Sequence, residues 1–198
     1  MWFGDKETAF DTLADLNDPM EVASVDNEGT SDNTKMLQYV SPNFDGFSFA
    51  VDTQVAADDD TEDGNEETTI RADVELEMAT LMVGYADTVN GDGETMGIGA
   101  AFAVGPVDVT ALYQTGDDGT ANSDTDIMAV TGATTVGVLD VYGVIQNVDA
   151  DGSDSQTQYA LGVGYSVADN LSVFAESSDL DADNGTGDTV ALGAALKF

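Results

Sequence analysis

The sequence contains no cysteine and no histidine, and it carries very little positive charge. The lack of cysteine excludes a disulfide framework, a thiolate nucleophile and a thiolate metal site. The lack of histidine removes the commonest general base and transition-metal ligand, and with it the Ser-His and Cys-His nucleophile schemes. The 198 residues include 4 Lys and Arg against 39 Asp and Glu, a formal net charge of −35. This balance argues against nucleic acid and against anionic membrane surfaces as partners.

Long apolar runs are missing as well. No stretch approaches the roughly 18 apolar residues of a membrane-spanning helix. Residues 1–7 lack the basic start and apolar run of a secretory signal. We therefore expect a cytosolic chain, a processed chain or a piece of a longer one. A spanning β-barrel stays open, because its apolar band shows only as alternation.

The sequence does contain period-two alternation from residue 34 onward. In residues 70–78 one face is apolar, and the other carries Arg71, Asp73, Glu75 and Glu77. Successive side chains of a strand point to opposite sides, so this stretch predicts a strand with one apolar and one charged face.

The same alternation predicts about eleven strands between residues 35 and 198. Short turns and long acidic loops connect them alternately, as in transmembrane barrels with short turns at one rim and longer loops at the other. The predicted fold class is all-β, an antiparallel meander of a transmembrane β-barrel. A soluble sandwich gives the same alternation with the apolar face buried. Aromatic residues near both strand ends favour the barrel, whose girdles lie at the headgroup level.

The minor face of the strands is light or polar. In a barrel this face lines the bore, and its acids would enrich cations and repel anions. A solvated outer face of a soluble sheet is the alternative. A glycosidase carboxylate pair is disfavoured, because nothing builds a closed pocket with distinct acid and base environments. We therefore predict no enzyme activity. The predicted pore-lining residues are Arg71, Asp73, Glu75, Glu77, Asp52, Asp108, Asp140 and Glu176.

Residues 1–34 do not alternate. Residues 8–16 predict a short helix, which Pro19 ends. We therefore divide the chain into a loop segment, residues 1–34, and a barrel part, residues 35–198.

Two places resemble a known family. Residues 39–47, Tyr-Val-Ser-Pro-Asn-Phe-Asp-Gly-Phe, resemble a turn of Gram-negative general porins, and residues 190–198 are similar to the last strand of outer-membrane proteins. The resemblance implies a roughly sixteen-stranded barrel with an aqueous channel, usually a homotrimer, with the third loop folded into the pore and about eleven strands after it. Residues 1–34 would then be the tail of that loop.

The resemblance also implies a function. It is the passive diffusion of small hydrophilic solutes and ions across the outer membrane, in contact with outer-membrane lipid. The acids on the bore-lining face would bias such a channel toward cations, and Phe198 would be the terminal aromatic residue that the barrel-assembly machinery recognises. The constriction acids that it implies are Asp11, Asp15, Asp18 and Glu21; an acidic linker is the alternative interpretation of these four residues.

The sequence departs from the family in its length and strand parity. The five opening strands are missing, and eleven strands do not close an antiparallel barrel. Open edges do not persist in lipid. We therefore expect a fragment, or a chain whose start is assigned too late.

The long loops are rich in Asp, Gly and Asn. Residues 149–154 and 181–185 resemble calcium loops only loosely, without the spacing of a calcium site. We predict no specific metal site and no cofactor. The acidic loops have two interpretations: they bind Ca²⁺ or Mg²⁺ diffusely at the rim, or they only make the surface soluble. A secreted or surface acidic β-protein that binds Ca²⁺ or a ligand through these loops is the alternative function.

The net charge repels itself strongly where the Debye length is about 30 Å, at 0.01 M salt. This predicts a halophilic or marine source.

Overall fold

The structure, a computed structural model, describes residues 1–4, 7–23, 25, 36–54, 68–87, 93–117, 124–180 and 188–197. Its strands form one sheet in which each strand is hydrogen-bonded to the next along the chain, and every pairing is antiparallel. The strands are β1 (Trp2–Gly4), β2 (Met36–Val40), β3 (Phe47–Gln54), β4 (Thr68–Glu75), β5 (Ala79–Asp87), β6 (Glu94–Val104), β7 (Val107–Gly116), β8 (Thr125–Val136), β9 (Leu139–Ala150), β10 (Gln156–Ala168), β11 (Leu171–Asp179) and β12 (Thr189–Leu196).

The eleven predicted strands are β2–β12, and the all-β antiparallel meander is confirmed. One further strand, β1, pairs with Met36–Gln38 and was not predicted. Three residues hold too little alternation to be recognised from sequence. Among the described residues, β1 pairs only with β2 and β12 only with β11.

Two predicted boundaries are wrong. β4 ends at Glu75 and the chain turns at residues 76–78, closed by Leu76 N–H donating to Ala79 O at 2.7 Å. Glu77 therefore lies in a turn and not on the strand. The sequence pattern also predicts a short turn at residues 132–135, but β8 continues through these residues and ends at a turn containing Gly137, at φ +69°. Period-two alternation continues through the short turn at residues 76–78, so the pattern does not reveal that turn. The turn that ends β8 is marked instead by Gly137, because glycine adopts a left-handed backbone without strain.

The sheet buries its polar face and exposes its apolar face. Leu161 and Leu192 are 61% and 82% exposed, and Phe47 and Val74 are each 40% exposed. The opposite side, which we call the inner face, carries buried Thr69, Gln146 and Gln158 among others. This is the reverse of a soluble sandwich and the arrangement of a membrane barrel.

Residues 7–23, which we call the inner segment, pack on the inner face. They contain the helix α1 (Asp11–Ala14), followed by a 3-10 helix (Asp15–Asn17). Asp11 N–H donates to the Thr8 hydroxyl at 2.9 Å, and Thr8 N–H donates to the Asp11 carboxylate at 3.1 Å. Such reciprocal capping fixes the first turn of the helix.

The short helix thus falls within the predicted residues 8–16, while the division of the chain at residue 34 stays a prediction. Among the described residues, no helix is long and apolar enough to cross a membrane.

Candidate functional site: the inner face and its segment

Apolar side chains of the inner segment rest on glycines of the sheet. Phe10 and Leu13 are fully buried. A Cβ added to Gly97 would lie 2.8 Å from Leu13 Cδ2, and one added to Gly99 would lie 2.6 Å from Leu16 Cδ1. Gly84 is equally crowded by Leu13. We call these three glycines the glycine patch. Because glycine has no side chain, the patch leaves room for the inner segment, which explains why this face carries so few large residues.

One end of the inner segment is attached to β3. The Asp52 carboxylate, 1% exposed, accepts Ala9 N–H at 2.7 Å through Oδ2 and the Thr69 hydroxyl at 2.7 Å through Oδ1. Gln38 Nε2 donates to Oδ2 at 3.3 Å. Backbone and neutral side chains thus satisfy a buried carboxylate, as burial requires.

The other end is attached to β11 through Glu176, which is 3% exposed. Its Oε2 accepts Val22 N–H at 2.9 Å and Ala23 N–H at 3.0 Å. Its Oε1 accepts Glu21 N–H and the Tyr142 hydroxyl, both at 2.8 Å. Hydrogen bonds to an ionised acceptor are stronger than neutral ones, so these contacts hold the segment firmly.

A third contact links the segment to β4. Arg71 makes a bidentate pair with Asp73, with Nε donating to Oδ1 at 2.8 Å and Nη2 to Oδ2 at 3.0 Å. Its Nη1 donates to the Thr12 hydroxyl. Asp73 therefore locally offsets the positive charge of Arg71. On the far side of the segment the Thr110 hydroxyl donates to Leu16 O at 2.8 Å.

In the described part of the chain, no base lies close enough to Asp15 or Asp18, the acids in the middle of the segment, to lower their pKa values. Partial burial of Asp15, which still reaches solvent, raises its pKa, and the charges of Glu7, Asp11 and Asp18 add to this shift. Burial also raises the pKa of Asp18; Met20 N–H, at 3.2 Å, opposes this shift, and the charge of Glu176 adds to it.

The predicted site residues divide into three groups. Asp52 and Glu176 are buried anchors, and Arg71 and Asp73 form a half-buried ion pair. The acids of the third group are exposed, and they are Glu75, Glu77, Asp108 and Asp140. Glu77 lies in a turn, away from the other three.

The constriction acids also lie in different surroundings. Asp11 is buried in the cap of α1, Asp18 is half-buried, and Asp15 and Glu21 are exposed. Phe198 lies outside the described residues. The assignment of all these residues to a pore stays a prediction.

Sequence reasoning missed Tyr142 and Thr12 as parts of the site. The Tyr142 ring lies over Gly162, where an added Cβ would collide with it. An aromatic residue facing a glycine across two paired strands was the available signal, since Tyr142 and Gly162 are register partners. Thr12 gave no signal in the sequence.

In the described part of the chain, no group of three or more acidic side chains is arranged so that it could hold a metal ion. The loops for which diffuse Ca²⁺ or Mg²⁺ binding is predicted fall largely outside the described residues, so that prediction stays open.

The sequence profile of the Gram-negative porin family matches residues 2–185. No curated protein matches the chain. Solved porins match its structure over nearly its whole length, and the chain spans 72–74% of theirs.

Three solved structures illustrate the likeness. OmpF of Salmonella typhi in complex with daunomycin has a TM-score of 0.80 at 17% identity, over 99% of this chain and 73% of that one. A loop L8 deletion mutant of OmpT from Vibrio cholerae has 0.77 at 18%, over 98% and 74%. A mutant of Rh. blastica porin has 0.71 at 22%, over 99% and 72%. At these identities the likeness establishes the porin β-barrel fold. Because the family profile also matches most of its length, the chain belongs to the Gram-negative porin family, whose members are outer-membrane channels for passive diffusion.

Proposed function

We propose that the channel passes small hydrophilic solutes with a preference for cations. The observation that carries this proposal is the charge distribution on the inner face. Arg71, the only base in a described strand, is paired with Asp73. Among the residues that the structure describes, the exposed acids of the wall and of the inner segment are not paired with a base. A bore lined by one sign of charge concentrates ions of the opposite sign.

The inner segment supplies the second part of the argument. Asp15 and Asp18 lie on a segment that crosses the inner face between β3 and β11. A segment inside the bore narrows it. A passing ion therefore comes closer to the carboxylates of Asp15 and Asp18 than it would come to the wall of a bore without the segment. Coulomb interactions grow as distance shrinks, which makes the narrow part the place where selectivity is set. The proposal involves no chemical step.

The apolar outer face supports contact with outer-membrane lipid. A homotrimer, and recognition of the C-terminal strand with Phe198 by the barrel-assembly machinery, complete the proposal by likeness to the family.

The test is the reversal potential of the purified protein in a planar bilayer under a KCl gradient. A cation-selective channel gives a potential of the sign set by K⁺, and the Asp15→Asn, Asp18→Asn double variant moves it toward zero. Replacement of Asp151 and Asp154, in an exposed loop, by Asn removes the same charge and serves as the control. A reversal potential of the sign set by Cl⁻ would overturn the cation preference, and a protein that forms no channel would overturn the proposed function.

A further inference from the structure

We infer that Phe174 and Tyr142 form a contact surface for organic ammonium ions on the inner face. We call these two residues the aromatic shelf. The inference deepens the proposed function and rests on it, because it names a class of cation that the channel favours over a neutral solute of the same shape.

The Phe174 ring lies face-down on the wall. Phe174 of β11 and Gly193 of β12 are register partners. A Cβ added to Gly193 would meet the end of the ring, with Cε1 and Cε2 equally distant at 2.8 Å and Cζ closer still. An atom at these distances lies over the ring and not beside its edge. One face of the ring is therefore turned to the wall, and the other is turned to the bore.

The Tyr142 ring also lies along the wall. It extends from β9 over Gly162 of β10, and its hydroxyl donates to Glu176 of β11 at 2.8 Å. A ring that crosses one strand to reach the next cannot point into the bore. Both rings of the aromatic shelf are half-buried, so each keeps part of its surface open.

The two rings are separate from the apolar core of the inner face. Among the described residues, the cluster of buried apolar side chains that contains Phe10 and Leu13 includes neither Tyr142 nor Phe174. Packing of that core therefore does not account for two half-open rings on a face that is otherwise light or polar.

Carboxylates surround the aromatic shelf. Asp140 is exposed and lies two residues from Tyr142 on the same face of β9, about 7 Å along the strand. Glu21 is exposed too, and its backbone N–H shares the Glu176 carboxylate with the Tyr142 hydroxyl. A cation that approaches the rings is therefore attracted by these charges, whereas an anion is repelled.

Rings and carboxylates together favour one kind of cation. The face of an aromatic ring is negative and attracts a cation placed over it. The methyl groups of a quaternary ammonium ion also gain from leaving water for the ring. A neutral analogue has only this apolar contact, and K⁺ has only the electrostatic attraction. An organic ammonium ion has both.

Choline and its neutral isostere dimethylbutanol are the probes, because they share a shape and differ in charge. The first readout is the K⁺ current through the purified protein in a planar bilayer. We expect choline to reduce this current at a concentration at which the isostere leaves it unchanged. Phe174→Leu should raise the half-blocking choline concentration about two- to five-fold, the range that an exposed cation–π contact gives.

Phe102→Leu is the matched control. It makes the same change on the outer face, where Phe102 is 37% exposed, and it should leave the half-blocking concentration unchanged. A fluorinated phenylalanine in place of Phe174 is the second variant, because it keeps the shape of the ring while fluorine withdraws negative charge from its face. It should weaken the block by choline as Phe174→Leu does. Phe174 is the ring to vary, since Tyr142 also binds Glu176.

The second readout is nuclear magnetic saturation transfer from the protein in detergent to the methyl protons of choline. We expect it to fall in Phe174→Leu and to stay unchanged in Phe102→Leu. This measurement does not depend on conduction. A protein that forms no channel, or one with a reversal potential of the sign set by Cl⁻, would therefore refute the proposed function while the aromatic shelf is still tested.

Three results would overturn the inference. The first is an absence of any choline effect on both readouts, and the second is an isostere that blocks as well as choline does. The third is an equal half-blocking concentration in the parent, Phe102→Leu and Phe174→Leu. If Phe174→Leu does not fold, the fluorinated variant decides, and a block by choline that equals that of the parent would then overturn the inference.

Discussion

At the scale of the residue, the acids of this chain differ in what surrounds them. Asp52 and Glu176 are buried and bound by N–H and O–H donors, Asp73 is paired with Arg71, and Asp15 is exposed among like charges. A formal charge of −35 hides these differences. The hydrogen-bond partners of each carboxylate decide whether it holds structure or faces a passing ion.

Asp15 and Asp18 give a pH-dependent prediction. Their pKa values are raised in the folded protein, so the folded state binds protons more tightly than the unfolded state does, and ionising them destabilises the fold. We expect the Asp15→Asn, Asp18→Asn double variant to match the parent below the ordinary Asp pKa of about 3.9. It should exceed the parent in unfolding free energy at pH 7.

The measurement is urea unfolding in detergent from about pH 3.5, just below the ordinary Asp pKa, to about pH 7, well above it. Asp151→Asn with Asp154→Asn is the control for lost net charge. If the control gains as much stability at pH 7 as the double variant, local burial and repulsion are not the cause.

The glycine patch gives a second prediction at this scale. A Cβ at Gly99 meets Leu16 Cδ1 at 2.6 Å and Leu13 Cδ1 at 3.0 Å. Gly99→Ala should therefore destabilise the protein by about 1–3 kcal/mol, the usual range for overpacking. The control is Gly132→Ala, whose Cβ meets only Val107 Cγ1, at 3.7 Å. Urea unfolding of both variants measures the difference, and equal stabilities would mean that the segment adapts without cost.

At the scale of the element, each strand has a lipid side and a bore side that differ in what they tolerate. β10 shows this most clearly, with Ala160 fully buried beside Leu161 at 61% exposure. Period-two alternation places these neighbours on opposite faces. A strand of this kind is stable only when its apolar side is removed from water by the bilayer.

Arginine substitutions on the outer face test that placement. Leu161 lies near the middle of β10, and Val104 is the last residue of β6, next to a turn. We expect Leu161→Arg to destabilise the barrel in lipid vesicles by about 2–4 kcal/mol and Val104→Arg by about 0–1 kcal/mol, because the cost falls from the midplane to the interface. Unfolding free energies in vesicles measure both, and a larger cost at Val104 would contradict the assigned depth.

At the scale of the whole molecule, the net charge sets how the protein depends on salt. Thirty-five unbalanced negative charges repel across the molecule where the Debye length is about 30 Å and much less where it is about 3 Å, at 1 M salt. This repulsion is the basis for proposing a source that lives in salt water.

We expect the thermal unfolding midpoint to rise when salt is raised from about 0.01 M to about 1 M, a change that shortens the Debye length roughly tenfold. Scans in KCl and in NaCl separate screening from binding of one cation, since screening depends on ionic strength alone. An unfolding midpoint that stays constant over this range would remove the salt-water hypothesis.

The sequence by itself determined the strands, their antiparallel order and the acidity of one face. Alternation and turn residues are local properties of the sequence, so they can be recognised without knowledge of the fold. It also indicated that the minor face is light, but it gave no reason for the small residues there. It could not place β1, the turn at residues 76–78, or the separate roles of Glu176 and Asp140.

Only the tertiary structure decided those points. Glu176 accepts hydrogen bonds from the backbone of residues 21–23, more than 150 positions away along the chain. The glycine patch is covered by Leu13 and Leu16, which lie far earlier in the chain than the glycines they contact. Contacts between residues so far apart depend on how the sheet and the segment come together, and no periodicity within either one records them.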